Sequence, residues 1–189
     1  MRKLTERRLK RIEEVISKRQ PDLFVALNGI KNPHNASAIA RTADAVGIYK
    51  IFTDSELLFK ASTSKGSQKW VELVWVDNMP LFLRRMKAEG FQIVVTYVHG
   101  GVVYTQVDYT KPTVVVVGNE AEGVSEEVLR EATVKVWIPM FGMVESLNVS
   151  VATAVILYEA QRQRIEKGLY SECRLDFATR EKLYKKYTS

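Results

Sequence analysis

Apolar positions follow two rhythms along this chain. In residues 23–27, 50–53, 71–76, 91–98, 113–117 and 134–138 they cluster in short, β-branched or aromatic runs, the pattern of buried strands. Between these runs they recur every three or four positions, the pattern of helices with one apolar face. The spacing predicts helices over 4–19, 35–46, 80–89, 125–132, 147–167 and 179–187. Their ends carry the expected punctuation. Thr5 and Ser125 are candidate caps with Glu in the following turn, and Gly47, Gly90 and Gly168 follow helix ends. Residues 61–69, with two Lys, three Ser and one Gly, read as a polar loop.

Strands alternating with helices predict an α/β fold: a mostly parallel sheet with helices on both faces. In such sheets ligands sit beyond the C-terminal strand ends. Those ends carry Thr96, then Gly118-Asn119-Glu120, then Ile138-Pro139-Met140. Three strand ends therefore converge on one predicted site. No G-x-G-x-x-G follows the first strand, and neither a P-loop nor a G-x-S-x-G elbow occurs.

Composition narrows the function classes. The single cysteine, Cys173, excludes an intrachain disulfide and a cysteine-based metal cluster, and two histidines exclude a His-rich metal site. No apolar run approaches the ~20 residues needed to cross a bilayer, and the basic N-terminus lacks the apolar stretch of a signal peptide. A reducing, cytoplasmic location is the expectation. The net charge of +6 is uneven: +5 over 1–20, −3 over 21–159 and +4 over 160–189. Basic ends on a slightly acidic middle suit a polyanion, although solvated helix faces carry such runs too. Arg7, Arg8, Arg11, Arg162 and Arg164 are the candidate phosphate contacts. The expected divisions are a basic helical extension over 1–20, a catalytic domain over 21–167 and a second basic extension over 168–189.

The candidate chemistry lies in three segments. In 31–47, KNPHNASAIARTADAVG, Asn35 and Arg41 are six positions apart. On one helix that is about 240° around the axis, so they share no face if both are helical, and Asn35 is expected at the N-cap or in the preceding loop. Arg41 projects from a helix of small apolar residues. His34 beside Asn35 has no assigned role. In 114–127, VVVVGNEAEGVSEE, Glu120 stands at a strand end where its carboxylate can bind a ligand or close a loop. In 138–159, IPMFGMVESLNVSVATAVILYE, a strand passes through a loop into a long helix at Ser146-Leu147-Asn148. Unpaired N–H groups there suit a polar or anionic ligand, and a plain capped helix fits as well. Neither histidine is placed to activate Ser146, which reads as a hydrogen-bonding residue rather than a nucleophile. Ile138, Met140 and Leu147 supply apolar surface of the kind that receives a purine, and Thr96 completes the wall.

Together these segments resemble the three ordered motifs of the SPOUT methyltransferases, most closely the TrmH branch. The resemblance spans nearly the whole chain. It implies a deep trefoil knot formed over about 138–159, which physical rules alone argue against. It implies S-adenosyl-L-methionine as cofactor, held by Thr96, Gly118, Asn119, Glu120, Ile138, Met140, Ser146 and Leu147. It assigns Arg41, Asn35, Glu120, Ser146 and Asn148 to catalysis, and no metal. It further implies a homodimer that methylates a ribose 2′-hydroxyl in tRNA, at the D-loop guanosine of position 18. An rRNA or wobble-nucleotide target, or a non-catalytic RNA-binding protein of the same fold, are the alternatives.

Overall fold

The computed structural model describes residues 4–56, 58 and 69–189. The polar loop expected over 61–69 lies outside them, apart from Lys69. Among the described residues seven strands form one sheet: β1 (Leu23–Asn28), β2 (Lys50–Thr53), β3 (Glu72–Trp75), β4 (Gln92–Thr96), β5 (Val102–Val103), β6 (Thr113–Gly118) and β7 (Val134–Trp137). Their order is β3-β2-β1-β6-β4-β7-β5, and every pairing is parallel.

The central strands are apolar through their middles because both faces are covered. Leu23, Val25 and Leu27 of β1, with Val115 and Val117 of β6, point to one core. There they meet Ala36, Ile39 and Ala43 of α2 (Pro33–Ala45) and Ile156, Leu157 and Ala160 of α5 (Val149–Glu166). The alternate residues Phe24, Ala26, Val114 and Val116 point to the other core. It is closed by α1 (Glu6–Ser17), α3 (Met79–Ala88), α4 (Glu126–Arg130) and α6 (Phe177–Thr188). The period-two switch between adjacent residues is what places helices on both sides.

The helix caps correct several expected boundaries. Helix α2 starts at Pro33, two residues before the expected Asn35, because Asn32 caps it: Asn32 Oδ1 accepts from His34 N at 2.9 Å and proline occupies the first turn. Asp176 caps α6 by accepting from Thr179 N at 2.9 Å, so that helix begins at Phe177 rather than residue 179. Asn148 caps α5, so that helix begins at Val149 rather than residue 147. The two-residue strand β5 and the 3₁₀ turn Tyr104–Gln106 carry no apolar run long enough to predict.

A buried polar network ties the chain ends to the sheet. Arg164 is completely buried. It donates to Tyr109 O at 2.9 Å, Gln20 Oε1 at 2.9 Å, Asp22 Oδ1 at 2.6 Å, Asp22 O at 3.2 Å and Lys111 O at 3.0 Å. Arg174 adds bonds of 2.7 and 3.0 Å to the Asp22 carboxylate. Burial pushes the Asp22 carboxyl up, but bonds from Arg174 and Arg164 outweigh it and hold the carboxyl below its ordinary range. The expectation that Arg164 contacts RNA phosphate is therefore overturned, since its guanidinium is enclosed and saturated by the protein.

Candidate active site at the strand ends

Strands β6, β4 and β7 are neighbours, and their C-terminal ends open into one cavity of about 650 Å³. Its lining includes Thr96, Gly118, Asn119, Glu120, Ile138, Met140, Ser146 and Leu147. All eight residues expected around the cofactor are thus brought together. Asn148 lines the cavity as well, while Asn35 and Arg41 do not.

The cavity floor depends on a tight loop after β6. Backbone groups of Asn119 and Gly123 exchange two hydrogen bonds of 2.9 Å, closing the loop on itself. A Cβ on Gly118 would lie 2.3 Å from Gly123 C and from Val124 N, so no other residue fits there. The Asn119 side chain reinforces both sides of the loop. Its Oδ1 accepts from Ala121 N at 2.9 Å and Glu122 N at 3.2 Å, and its Nδ2 donates to Gly29 O at 2.9 Å. Thr96 Oγ1 donates to Val116 O at 3.2 Å, tying the end of β4 to β6.

The three sequence segments meet through a chain of side-chain amides. Asn148 Nδ2 donates to Asn35 Oδ1 at 3.2 Å, and Asn35 Nδ2 donates to the Glu120 carboxylate in a short hydrogen bond. Asn148 Oδ1 meanwhile accepts from Ser150 N at 2.9 Å and Ser150 Oγ at 2.6 Å, capping α5. Asn35 sits inside the first turn of α2 rather than at its cap, and its side chain is buried. Arg41, six residues on in the same helix, is exposed and makes no hydrogen bond or ion pair among the described residues. The 240° separation expected for two helical positions is what parts them. His34 is exposed on the first turn of α2.

Some lining residues were not singled out from sequence. Val149, Ala152 and Ile156 face the cavity from α5, and their i, i+3, i+7 spacing was the available signal. Tyr97, His99 and Glu145 also line it. Tyr97 follows Thr96 directly, and its ring stands edge-on to His99 at 5.4 Å. Of the basic candidates, Arg7, Arg8 and Arg11 are exposed on α1. Arg8 lies over the Trp70 ring at 5.0 Å. Arg162 is exposed but bonded to Glu159 at 2.8 Å and Glu166 at 2.6 Å.

A parallel sheet with a ligand-sized cavity at the C-terminal ends of three adjacent strands defines an α/β protein with a candidate ligand site at those ends. Residues 22–158 match the SpoU rRNA Methylase family. The chain is 50% identical to the tRNA (guanosine(18)-2'-O)-methyltransferase of Aquifex aeolicus, over 96% of this chain and 89% of that one. It is 43% identical to the Escherichia coli enzyme of the same name, over 86% of this chain and 73% of that one. The crystal structure of the A. aeolicus TrmH/SpoU tRNA modifying enzyme superposes with a TM-score of 0.87 at 49% identity, covering 97% of this chain and 95% of that one. The SpoU methyltransferase AviRb from Streptomyces viridochromogenes, solved in complex with the cofactor AdoMet, superposes with a TM-score of 0.65 at 30% identity, covering 79% of this chain and 59% of that one. The chain belongs to the SpoU methylase family.

Proposed function

We propose that this protein is an S-adenosyl-L-methionine-dependent tRNA methyltransferase that modifies the ribose 2′-hydroxyl of the D-loop guanosine at position 18. The observation that carries this reading is the Asn148–Asn35–Glu120 chain at the edge of the cavity, which joins the three family motifs at one place. The names of the relatives at 43–50% identity select the tRNA guanosine over an rRNA or wobble target. When bound, the cofactor supplies an electrophilic methyl group on a cationic sulfonium. The lining fits it: Ile138, Leu147 and Ile156 are apolar walls for a purine, and Glu120, Glu122 and Glu145 offer carboxylates to a cation. The chain's passage from Ile138 to Glu159 forms the knot of the family in this reading, and α1 and α6 act as basic extensions of the catalytic domain.

Arg41 is the residue we assign to the substrate. Arginine has an ordinary pKa above ~12, which makes it a poor general base. An exposed guanidinium suits a phosphate clamp that also stabilises negative charge developing on the 2′-oxygen. Methyl transfer to unmodified tRNA, with nuclease mapping of the product nucleotide, tests the assignment. Arg41→Ala should lose nearly all activity and keep its fold and cofactor affinity. Arg41→Lys should retain weak activity with an unchanged pH profile, whereas a profile moved to lower pH would make this residue the base. Methylation at a nucleotide other than position 18 would overturn the substrate assignment.

The working form in this reading is a homodimer. Phe141 is 97% and Met143 99% exposed. Val151, Tyr158 and Ile165 are exposed on α5 seven residues apart, on one face. Exposed apolar side chains gathered on one helix face suit a partner surface. Sedimentation should give a dimer for the wild type and a monomer for Tyr158→Glu, and a monomeric wild type would remove this part of the proposal.

A further inference from the structure

Asn28 and Asp54 lie outside both the cavity lining and the three motif segments, yet they hold the loop that carries Glu120. Asn28 ends β1 opposite Gly118 and is buried. Its side-chain amide joins two segments: Nδ2 donates to Asp54 Oδ2 at 2.7 Å, and Oδ1 accepts from Ser125 N at 2.8 Å. Asp54, just past β2, uses its other oxygen to accept from Gly29 N at 2.8 Å. Gly29 has φ 69°, a conformation that glycine takes readily, and its carbonyl accepts from Asn119 Nδ2 at 2.9 Å.

The loop after β6 is therefore hung from the end of β1 at two points. It starts with Asn119 bonded to Gly29 and closes with Ser125 bonded to Asn28. One carboxylate fixes both anchors at once, through two charge-assisted hydrogen bonds. We infer that Asp54 and Asn28 are positioning residues whose paired side chains set the Gly118–Ser125 loop, and with it Glu120, against Asn35 and the cavity. The inference rests on the reading of that cavity as the cofactor site. A carboxylate is specified at Asp54 because both partners are N–H donors, and an amide in its place would aim a donor at one of them.

Asp54→Asn makes that exchange. Ser125→Pro removes the single N–H that Asn28 accepts, at a residue whose φ of −63° already suits proline and whose side chain makes no capping bond. Hydrogen exchange of the protein without cofactor reads the loop directly. The amides of Ala121, Glu122 and Gly123 should exchange about tenfold faster in either variant, with β6 unchanged, the size expected for losing one buried hydrogen bond. Calorimetry should show about tenfold weaker S-adenosyl-L-methionine binding with tRNA affinity unchanged. The two variants combined should cost less than the product of their separate effects, because they act on one loop. A lower melting temperature with wild-type loop exchange and cofactor affinity would make the pair merely structural and overturn the inference. If Asp54→Asn does not fold, Ser125→Pro decides alone. Faster loop exchange in a protein whose wild type binds no cofactor would support the anchoring and overturn the proposed function instead.

Discussion

Replacing Arg164 by alanine should destabilise the protein rather than release it from RNA. The guanidinium is fully buried and serves Gln20, Asp22, Tyr109 and Lys111. Removing it takes a donor from three backbone carbonyls and from Gln20 Oε1, although Asp22 O keeps Thr113 N, Lys111 O keeps Thr113 Oγ1 and Gln20 Oε1 keeps Arg174. Breaking a buried ion pair costs about 3–5 kcal/mol. Arg174 still holds Asp22 through two bonds, so the lower end applies, about 3 kcal/mol. For a domain of this size that lowers the melting temperature by roughly 6–12 °C. Arg162 is the internal control. It stands two residues away with its guanidinium exposed, bonded to a largely covered Glu159 and an exposed Glu166, and pairs with an exposed partner contribute about 0–1 kcal/mol. Calorimetric melting of both alanine variants, at one protomer concentration, makes the comparison. The network also sets an acid limit. Asp22 titrates below the ordinary carboxylate value, so its contribution is complete above pH ~4 and is lost as pH falls through the folded value. With Arg164 gone the depression shrinks, and the acid limb should move to higher pH. An Arg164→Ala protein that melts like the wild type but binds tRNA weakly would refute this reasoning and return the residue to the RNA surface.

Two further outcomes follow from the site and the basic helix. Gly118→Ala should abolish cofactor binding in calorimetry, because its Cβ would overlap the Gly123 and Val124 backbone; unaltered affinity would show that the loop yields more readily than its geometry implies. Replacing Arg7, Arg8 and Arg11 by alanine should weaken tRNA binding and flatten its dependence on salt, by about 0.7–0.9 in log–log slope per lost phosphate contact. An unchanged slope would mean that α1 is only a solvated face.

The central sheet was legible because burial on both faces writes itself into continuous apolar runs, as in β1 and β6. The cavity wall was legible for a related reason: Thr96, Gly118 and Ile138 stand at the C-terminal strand ends, where an α/β sheet receives its ligand. Edges and caps were less so. Strand β5 is two residues long and owes its pairing with β7 to register, not to its own apolar pattern. The start of α2 was signalled by Asn32-Pro33, a cap followed by a first-turn proline, but the polar residue at 35 competed for the same role. Arg162 and Arg164 are equally basic in sequence. Two residues on a helix turn the side chain by about 200°, which carries one to solvent and the other to the N-terminal ends of β1 and β6. Only the partners of Arg164, more than fifty residues away along the chain, distinguish them.

The placement of Glu120 has an electrostatic logic that no single segment carries. Its carboxylate accepts from Asn35 in the first turn of α2, and Asn35 in turn accepts from Asn148 at the start of α5. Two helix N-termini therefore converge on one acidic side chain. Each carries partial positive charge from unpaired backbone N–H groups, which favours a negative group within the first turn. The same convergence explains why the linking residues are asparagines. An amide can accept from one neighbour while donating to the next, so polarity runs in one direction from α5 through α2 to the loop after β6. A serine could not span both bonds, and an aspartate at 35 would set a second carboxylate against Glu120. Because α2 is rigid, this chain also fixes the rotation of the helix, and with it the outward face that presents Arg41. The cavity and Arg41 are thus registered to each other through Asn35, although Arg41 is not part of the cavity lining.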